Sequence, residues 1–144
     1  MKGRRHNPHF RRILVAYGGS AHSEKAVHVA IELARCLDAK VLIFSVARPP
    51  EPATSVELEA ALDDAREHYQ AFFKKVLERA GDELEIETDI AVGHPAEQIV
   101  HKAEVEKIDL IVLGRSRMSV IEKLLGSVSE RVLRYAHCPV MVVR

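Results

Sequence analysis

A glycine-bearing stretch in the last third of the chain has the composition of an anion site. A run of apolar residues, Leu110–Leu113, leads directly into Gly114, a loop with Arg115 and Arg117, and then Gly126-Ser127 at the head of a second apolar segment. Helix N-termini carry unpaired N–H groups and a partial positive charge, which favour phosphate there. Strand, glycine, basic loop and helix start together predict a phosphate-binding loop.

The same residues also have a purely structural interpretation. Ser127-Val128-Ser129-Glu130 follows the capping-box pattern, which predicts a helix N-terminus at Ser127 without any ligand. Gly126 is then a turn residue, and both arginines are solvated at a loop tip. The sequence leaves the two interpretations open.

The other residues with reactive or metal-binding side chains lack the spacing of a catalytic or metal site. The sequence has no Gly-x4-Gly-Lys-Ser/Thr loop, and Glu122 and Glu130 fit first-turn helix acids better than a general base. Cys36 and Cys138 lie far apart and in no metal or redox spacing, so both are expected to be small residues in or near the core. We expect no structural metal, and ATP hydrolysis ranks below simple binding.

Composition favours one ordinary globular domain. The chain has 144 residues, with 21 basic and 21 acidic side chains, so its overall charge predicts neither nucleic-acid binding nor membrane binding. Its apolar runs are far shorter than the roughly 20 residues that cross a bilayer. We expect a cytoplasmic protein in which residues 1–10 are a poorly ordered basic lead-in and residues 11–144 form the domain.

Apolar patterning predicts strands and helices in alternation. The second and fourth helices are expected to begin near Thr54, which opens a capping box with Glu57, and at Ser127. The other two are expected to begin beside Ser20 and at Pro95. Period-two alternation predicts that the third strand lies near a sheet edge. The five predicted strands are Arg12–Ala16, Val41–Val46, Leu84–Ile90, Asp109–Leu113 and Pro139–Val143.

This alternation predicts an α/β fold with a doubly wound, five-stranded parallel sheet between two layers of helices. Such sheets place ligands beyond the carboxyl ends of the strands, where the winding reverses. Two glycine-bearing loops are candidates for that place: Tyr17-Gly18-Gly19-Ser20 and the loop from Gly114 onward. If the first and fourth strands are neighbours, both loops face one crevice.

At this point the sequence resembles the universal stress protein family. The resemblance runs through ILVAYGGSAHSEKAVHVAIELA, VGHPAEQIV and IDLIVLG, and is most specific in LLGSVSERVLRYAHCPVMVV. It implies strand order 3-2-1-4-5 and a homodimer in which the last strands pair across the two-fold axis. Members that bind ATP carry Gly-x2-Gly-x9-Gly-Ser/Thr, whereas this chain has Arg117 at the second glycine and a loop one residue shorter.

Carried over by position, the resemblance implies that Gly114, Gly126, Ser127 and Ser129 face phosphate and that Val46 faces adenine. Where nucleotide binders usually have an Asp facing the ribose and adenine, this chain has Gly18. A guanidinium can replace the contact that a glycine backbone would make, which makes both loop arginines candidates. The candidate nucleotide-binding residues are Tyr17, Gly18, Gly19, Ser20, Val46, Gly114, Arg115, Arg117, Gly126, Ser127, Val128 and Ser129.

Two functions follow from these residues. The first is a dimeric stress-response or signalling module that binds ATP or another adenine nucleotide and whose occupied crevice changes what its surface can bind. The alternative is a nucleotide-free adaptor dimer with a degenerate site. Neither the stress signal nor the protein partner can be named from the sequence.

Overall fold

A computed structural model describes residues 9–115 and 126–144. Strands and helices alternate along this part of the chain. The strands are β1 (Arg12–Ala16), β2 (Lys40–Ala47), β3 (Ile86–Val92), β4 (Leu110–Gly114) and β5 (Val140–Val143), and the helices are α1 (Ala21–Leu37), α2 (Ser55–Ala80), α3 (Pro95–Val105) and α4 (Ser127–Tyr135).

The strands form one parallel sheet in the order β3-β2-β1-β4-β5, which confirms the predicted fold class and strand order. The chain moves outward from β1 to β3 and then crosses to β4 on the other side of β1. The winding therefore reverses between β1 and β4, at the place where the sequence predicts a crevice.

Helices cover both faces of this sheet. On one face, Ile13, Val15 and neighbouring strand residues pack under α1 and α2. On the other face, Leu14, Ile111 and their neighbours pack under α3 and α4. Because successive strand residues alternate between these two clusters, both faces of β1 and β4 are fully apolar, as the uninterrupted hydrophobic runs predict.

The capping signals in the sequence account for the starts of two helices. Ser20 caps α1, and its Oγ accepts a hydrogen bond from the Ser23 N–H at 3.1 Å. The capping box of α2 forms as predicted between Thr54 and Glu57. Pro95 is the first residue of α3, where its missing N–H costs nothing.

Helix α2 extends beyond the sheet, and this corrects one predicted contact. Its 26 residues span about 39 Å at the standard rise, whereas the eight residues of β2 span only about 26 Å. The buried residues of α2 all belong to its second half and its middle, from Ala65 to Ala80. The apolar periodicity of this helix in the sequence begins at Leu58 and predicts a core contact there, but Leu58 is 39% exposed.

Two other predictions need correction. Cys36 is exposed rather than near the core, because it lies two positions after Ala34, the last buried residue of α1, and so on the solvent side of the helix. The third strand runs two residues later than predicted, since its pairing with β2 begins at Ile86. Its place at the sheet edge is as predicted. Within the described ranges, every helix is too short or too polar to span a membrane.

Candidate functional site

The end of β4 meets the start of α1 because β1 and β4 are adjacent. Gly114 ends β4, and a Cβ atom built on it would lie 2.7 Å from the Ser23 backbone nitrogen and closer still to the His22 carbonyl oxygen. No side chain fits in that space, so the first turn of α1 packs directly on the end of β4. The ends of β1 and β4 therefore lie side by side, which is the condition given above for a shared crevice; the loop beyond Arg115 lies outside the described residues.

Hydrogen bonds within the first turn of α1 hold the loop after β1 in place. The Gly18 N–H donates to the Ser23 hydroxyl oxygen at 3.2 Å, and that hydroxyl donates to the Ser20 carbonyl at 2.9 Å. The Ser20 hydroxyl donates to the Ser23 oxygen at 3.1 Å. Ser23 thus joins the loop to the helix.

Gly18 and Gly19 leave the rim of the crevice without side chains. Gly18 is exposed, and among residues 9–115 and 126–144 a Cβ atom built there would meet nothing within 4 Å. Gly19 adopts φ +88°, a conformation that glycine accepts at little cost. A ligand can therefore approach the backbone of this loop closely.

The Tyr17 side chain packs against α2 and does not line the rim of the crevice. Its ring stacks on Phe72 at a centroid distance of 3.8 Å and meets Tyr69 edge to face at 5.6 Å. Burial, and then the charge of Glu24, raise the pKa of Tyr17. The Tyr17 carbonyl accepts a hydrogen bond from the Ser45 hydroxyl at 2.7 Å, which fixes the end of β1 against β2.

Val46 lies on the other face of the sheet, near the end of β2. It is half-buried and packs against the cluster under α3 and α4. Its partner in the β2–β3 pairing is Ala91. The structure thus places Val46 at the carboxyl edge, on the face of the sheet covered by α4.

Arg115 follows β4 and is tied to the last strand. Its backbone N–H donates to the Val143 carbonyl at 2.9 Å, and its side chain is half-buried. Arg117, the other arginine predicted at this loop, lies outside the described residues.

The start of α4 corrects the predicted cap. Gly126, with φ −65° and ψ 159°, is the N-cap, and its carbonyl accepts from the Glu130 N–H at 2.9 Å. Ser127 is already helical, so it cannot act as the extended residue that a capping box requires, and no side chain caps this helix. Ser127 is exposed, Val128 is half-buried and Ser129 is 2% exposed. The first N–H groups of α4 have no acceptor within the helix.

These placements correspond to a known family. The family model described as "Universal stress protein family" matches residues 9–144. The chain belongs to the universal stress protein family.

Related proteins agree with this assignment over nearly the whole chain. A universal stress protein of Methanocaldococcus jannaschii, MJ0531, is 38% identical over 140 residues, covering 94% of this chain and 82% of that protein. The solved structure of UspA from Lactobacillus plantarum superposes with a TM-score of 0.83 at 25% identity, covering 96% of this chain and 100% of that one. A universal stress protein solved in complex with cAMP has a TM-score of 0.65 at 31% identity, covering 94% of this chain and 97% of its own.

In this universal stress protein, the crevice residues provide backbone groups and hydroxyls rather than metal ligands. Across the described ranges, no three or more His, Cys, Asp or Glu side chains are grouped so that they could hold a metal ion. Helices α1 and α4 follow the parallel strands β1 and β4, so both begin at the carboxyl edge of the sheet, one on each face, and the dipole of each favours an anion there. The arrangement suits a phosphorylated ligand held by N–H groups.

Proposed function

We propose that this protein is a dimeric stress-response or signalling module that binds an adenine nucleotide in the crevice between the β1–α1 loop and the start of α4. One observation carries the proposal: Gly114 lets the first turn of α1 pack on the end of β4, next to the side-chain-free rim at Gly18. This contact brings the first turn of α1 to the end of β4.

The phosphate end of the ligand is assigned to the start of α4. Ser127, Val128 and Ser129 supply first-turn N–H groups that have no acceptor within the helix, and Arg115 directly follows β4. An anion at this position gains both hydrogen bonds and the helix dipole, and the guanidinium adds a charge-assisted contact.

A related protein supports an adenine nucleotide as the class of ligand. The universal stress protein solved with cAMP shares 31% of its aligned residues with this chain. In the present chain, half-buried Val46 offers an apolar contact at the carboxyl edge, which suits a flat base. ATP or another adenine nucleotide is the proposed ligand.

We assign a binding role rather than a catalytic one. The hydroxyl groups nearest the rim, those of Ser20 and Ser23, are engaged in capping α1. A nucleophile needs an adjacent base that removes its proton, and these hydroxyls instead pair with each other and with backbone groups. The occupied crevice then acts by changing what the surface binds.

Dimerisation is proposed through β5. This edge strand reads Val-Met-Val-Val, and Met141 on it is 37% exposed. An apolar edge strand with unpaired backbone groups is a liability that pairing with a second copy removes.

The opposite sheet edge is protected. Alternate residues of β3 bond to β2, as Glu85 and Gly93 do, so the Ile90 N–H faces outward. The Asp89 carboxylate accepts from that N–H at 2.8 Å, and strand β3 is rich in charged residues. This contrast favours β5 as the edge that pairs.

A nucleotide-free adaptor is the second candidate function, and a specific observation favours it. The N–H groups of Gly18 and Arg115 already donate within the protein, to Ser23 and Val143. A ligand would have to use other donors. The adaptor would keep the proposed dimer and lose the ligand.

Calorimetric titration of the full-length chain with ATP and with cAMP separates the two candidates. Gly126→Asp places a carboxylate at the proposed phosphate position, while an N-cap accepts Asp without loss of the helix. The matched control is Ser55→Asp, which adds the same charge at the start of α2. Binding that Gly126→Asp removes and Ser55→Asp retains supports the nucleotide proposal, whereas no heat from the wild-type chain at millimolar nucleotide supports the adaptor.

A further inference from the structure

A second cavity lies on the α2 side of the sheet. It has a volume of about 570 Å³ and is formed by the residues after β2 and by the projecting first half of α2. Its wall reaches the crevice loop, since a Cβ atom on Gly19 would lie 3.8 Å from both His68 Nε2 and Tyr69 Cε1. Nothing in the proposed nucleotide site uses this cavity.

Small side chains on α2 leave the space that forms this cavity. Ala60, Ala61 and Ala65 face the cavity at helical spacing, and Tyr69 and His68 continue the same side of the helix. The Tyr69 ring is half-buried, and burial raises the pKa of its hydroxyl, which is consistent with apolar surroundings. The cavity therefore offers an apolar floor with an aromatic end.

Charges of both signs border this floor. Arg48 comes from the segment after β2 and Asp64 from α2, and in residues 9–115 and 126–144 neither forms an ion pair. Glu57 also borders the cavity, but its carboxylate is engaged by the Thr54 N–H at 2.9 Å. The guanidinium of Arg48 and the carboxylate of Asp64 thus remain available to a ligand.

The charges decide the ligand class. A simple anion would be attracted by Arg48 and repelled by Asp64. A simple cation would be attracted by Asp64 and repelled by Arg48. A molecule that carries both signs satisfies both groups, and an apolar or aromatic body would cover the alanine floor. We propose that this cavity binds a small zwitterion with an apolar or aromatic body, of the α-amino acid type.

The probes are phenylalanine and two analogues that each keep one of its charged groups. Each is titrated into the isotope-labelled full-length chain, and binding is followed by NMR chemical shifts. Phenylacetate keeps the carboxylate, and phenethylamine keeps the ammonium. We expect saturable shifts at Arg48, Asp64 and their neighbours, with phenylalanine binding at least about threefold more tightly than either analogue, as expected for one exposed charge pair. Equal affinity for phenylalanine and either analogue, or no saturable shift with phenylalanine, would overturn the proposal.

Charge variants test the assignment of the two groups. Arg48→Gln should weaken phenylalanine and phenylacetate and leave phenethylamine unchanged, and Asp64→Asn should weaken phenylalanine and phenethylamine and leave phenylacetate unchanged. Asp63→Asn is the matched control, because Asp63 does not line the cavity and pairs with Arg66 at 3.6 Å. A uniform response of all three ligands to both variants would contradict the proposal.

A steric variant and a competition experiment complete the test. Ala60→Leu fills the cavity from an exposed helix position without changing a charge, so it should abolish phenylalanine binding and keep the fold. Added ATP should leave the phenylalanine affinity unchanged. Retained binding in Ala60→Leu, or displacement by ATP, would show that the cavity is not an independent zwitterion site.

Discussion

The end of strand β4 touches the first turn of α1 through Gly114 and His22, at a distance that leaves no room for a methyl group. Both partners are backbone, so neither can swing aside as a side chain would. We expect Gly114→Ala to lower the free energy of unfolding by about 1–3 kcal/mol, the usual cost of overpacking. Urea denaturation of the variant and the wild type measures it.

The matched control for this glycine is Gly18→Ala. A methyl group at Gly18 would enter open space, so its cost should stay within about 0.5 kcal/mol. Equal stability of the two variants would mean that the contact between β4 and α1 is not as tight as described.

Lys102 stabilises the fold through its ion pair with Asp89. Lys102 Nζ donates a hydrogen bond to Asp89 Oδ2 at 2.6 Å, and this bond raises the pKa of Lys102 above its usual 10.5, against the lowering effect of partial burial. A raised lysine pKa means stability that is complete below pH 10.5 and is lost as the pH rises through the folded-state pKa. Lys102→Met should therefore cost up to about 1 kcal/mol near neutral pH and less above pH 10.5.

Urea titrations of the wild type and Lys102→Met at neutral pH and at pH values above the usual lysine pKa measure this difference. Lys40→Met is the comparison, because the Lys40–Glu85 pair is more exposed, at 55% and 56% of the two side chains, and should contribute less. A Lys102→Met penalty that grows with pH would contradict the assigned ion pair.

The two cysteines should react at different rates. Cys36 is exposed, whereas Cys138 is half-buried, and burial together with the charge of Asp109 raises the pKa of the Cys138 thiol. Fewer thiolates then form at neutral pH, and thiolate is the reactive species. We expect a fast and a slow phase with a chromogenic disulfide reagent, and Cys36→Ser should remove the fast phase. A single fast phase from Cys138 in that variant would contradict its burial.

Self-association should depend on the β5 edge. Met141→Lys places a charge on the exposed side of β5, so sedimentation should show a shift from dimer toward monomer at micromolar concentration. Thr88→Lys adds the same charge to the opposite edge strand and should leave the dimer intact. A wild-type chain that sediments only as monomer would remove the dimer from the proposed function.

Sequence patterns predict the core strands well because burial leaves a direct signal. The apolar run of β1 gives its bounds, Arg12–Ala16, as they are found. The alternation that marks β3 begins at Leu84, which packs against the core but precedes the paired strand. Apolar periodicity reports burial, whereas strand bounds depend on hydrogen bonds to a neighbour.

The site is predicted in part for the same reason. Sequence spacing places Gly114 and Gly126 at the ends of a strand and a helix, and adjacency of β1 and β4 brings the loops together. It cannot show that Gly126, rather than Ser127, is the N-cap, because both residue types favour that position. It also cannot show that Ser23 binds the Gly18 N–H, which depends on how the loop turns into α1.

The Asp89 side chain bears on how many copies can assemble. A parallel sheet has two outer strands, and a chain that exposed both would propagate into a ribbon of copies. Because Asp89 occupies the outward donor of Ile90, pairing through β5 leaves the far rim of each subunit unsuited to a third chain. In the dimer proposed above, this occupied N–H disfavours the addition of a third chain at the β3 edge.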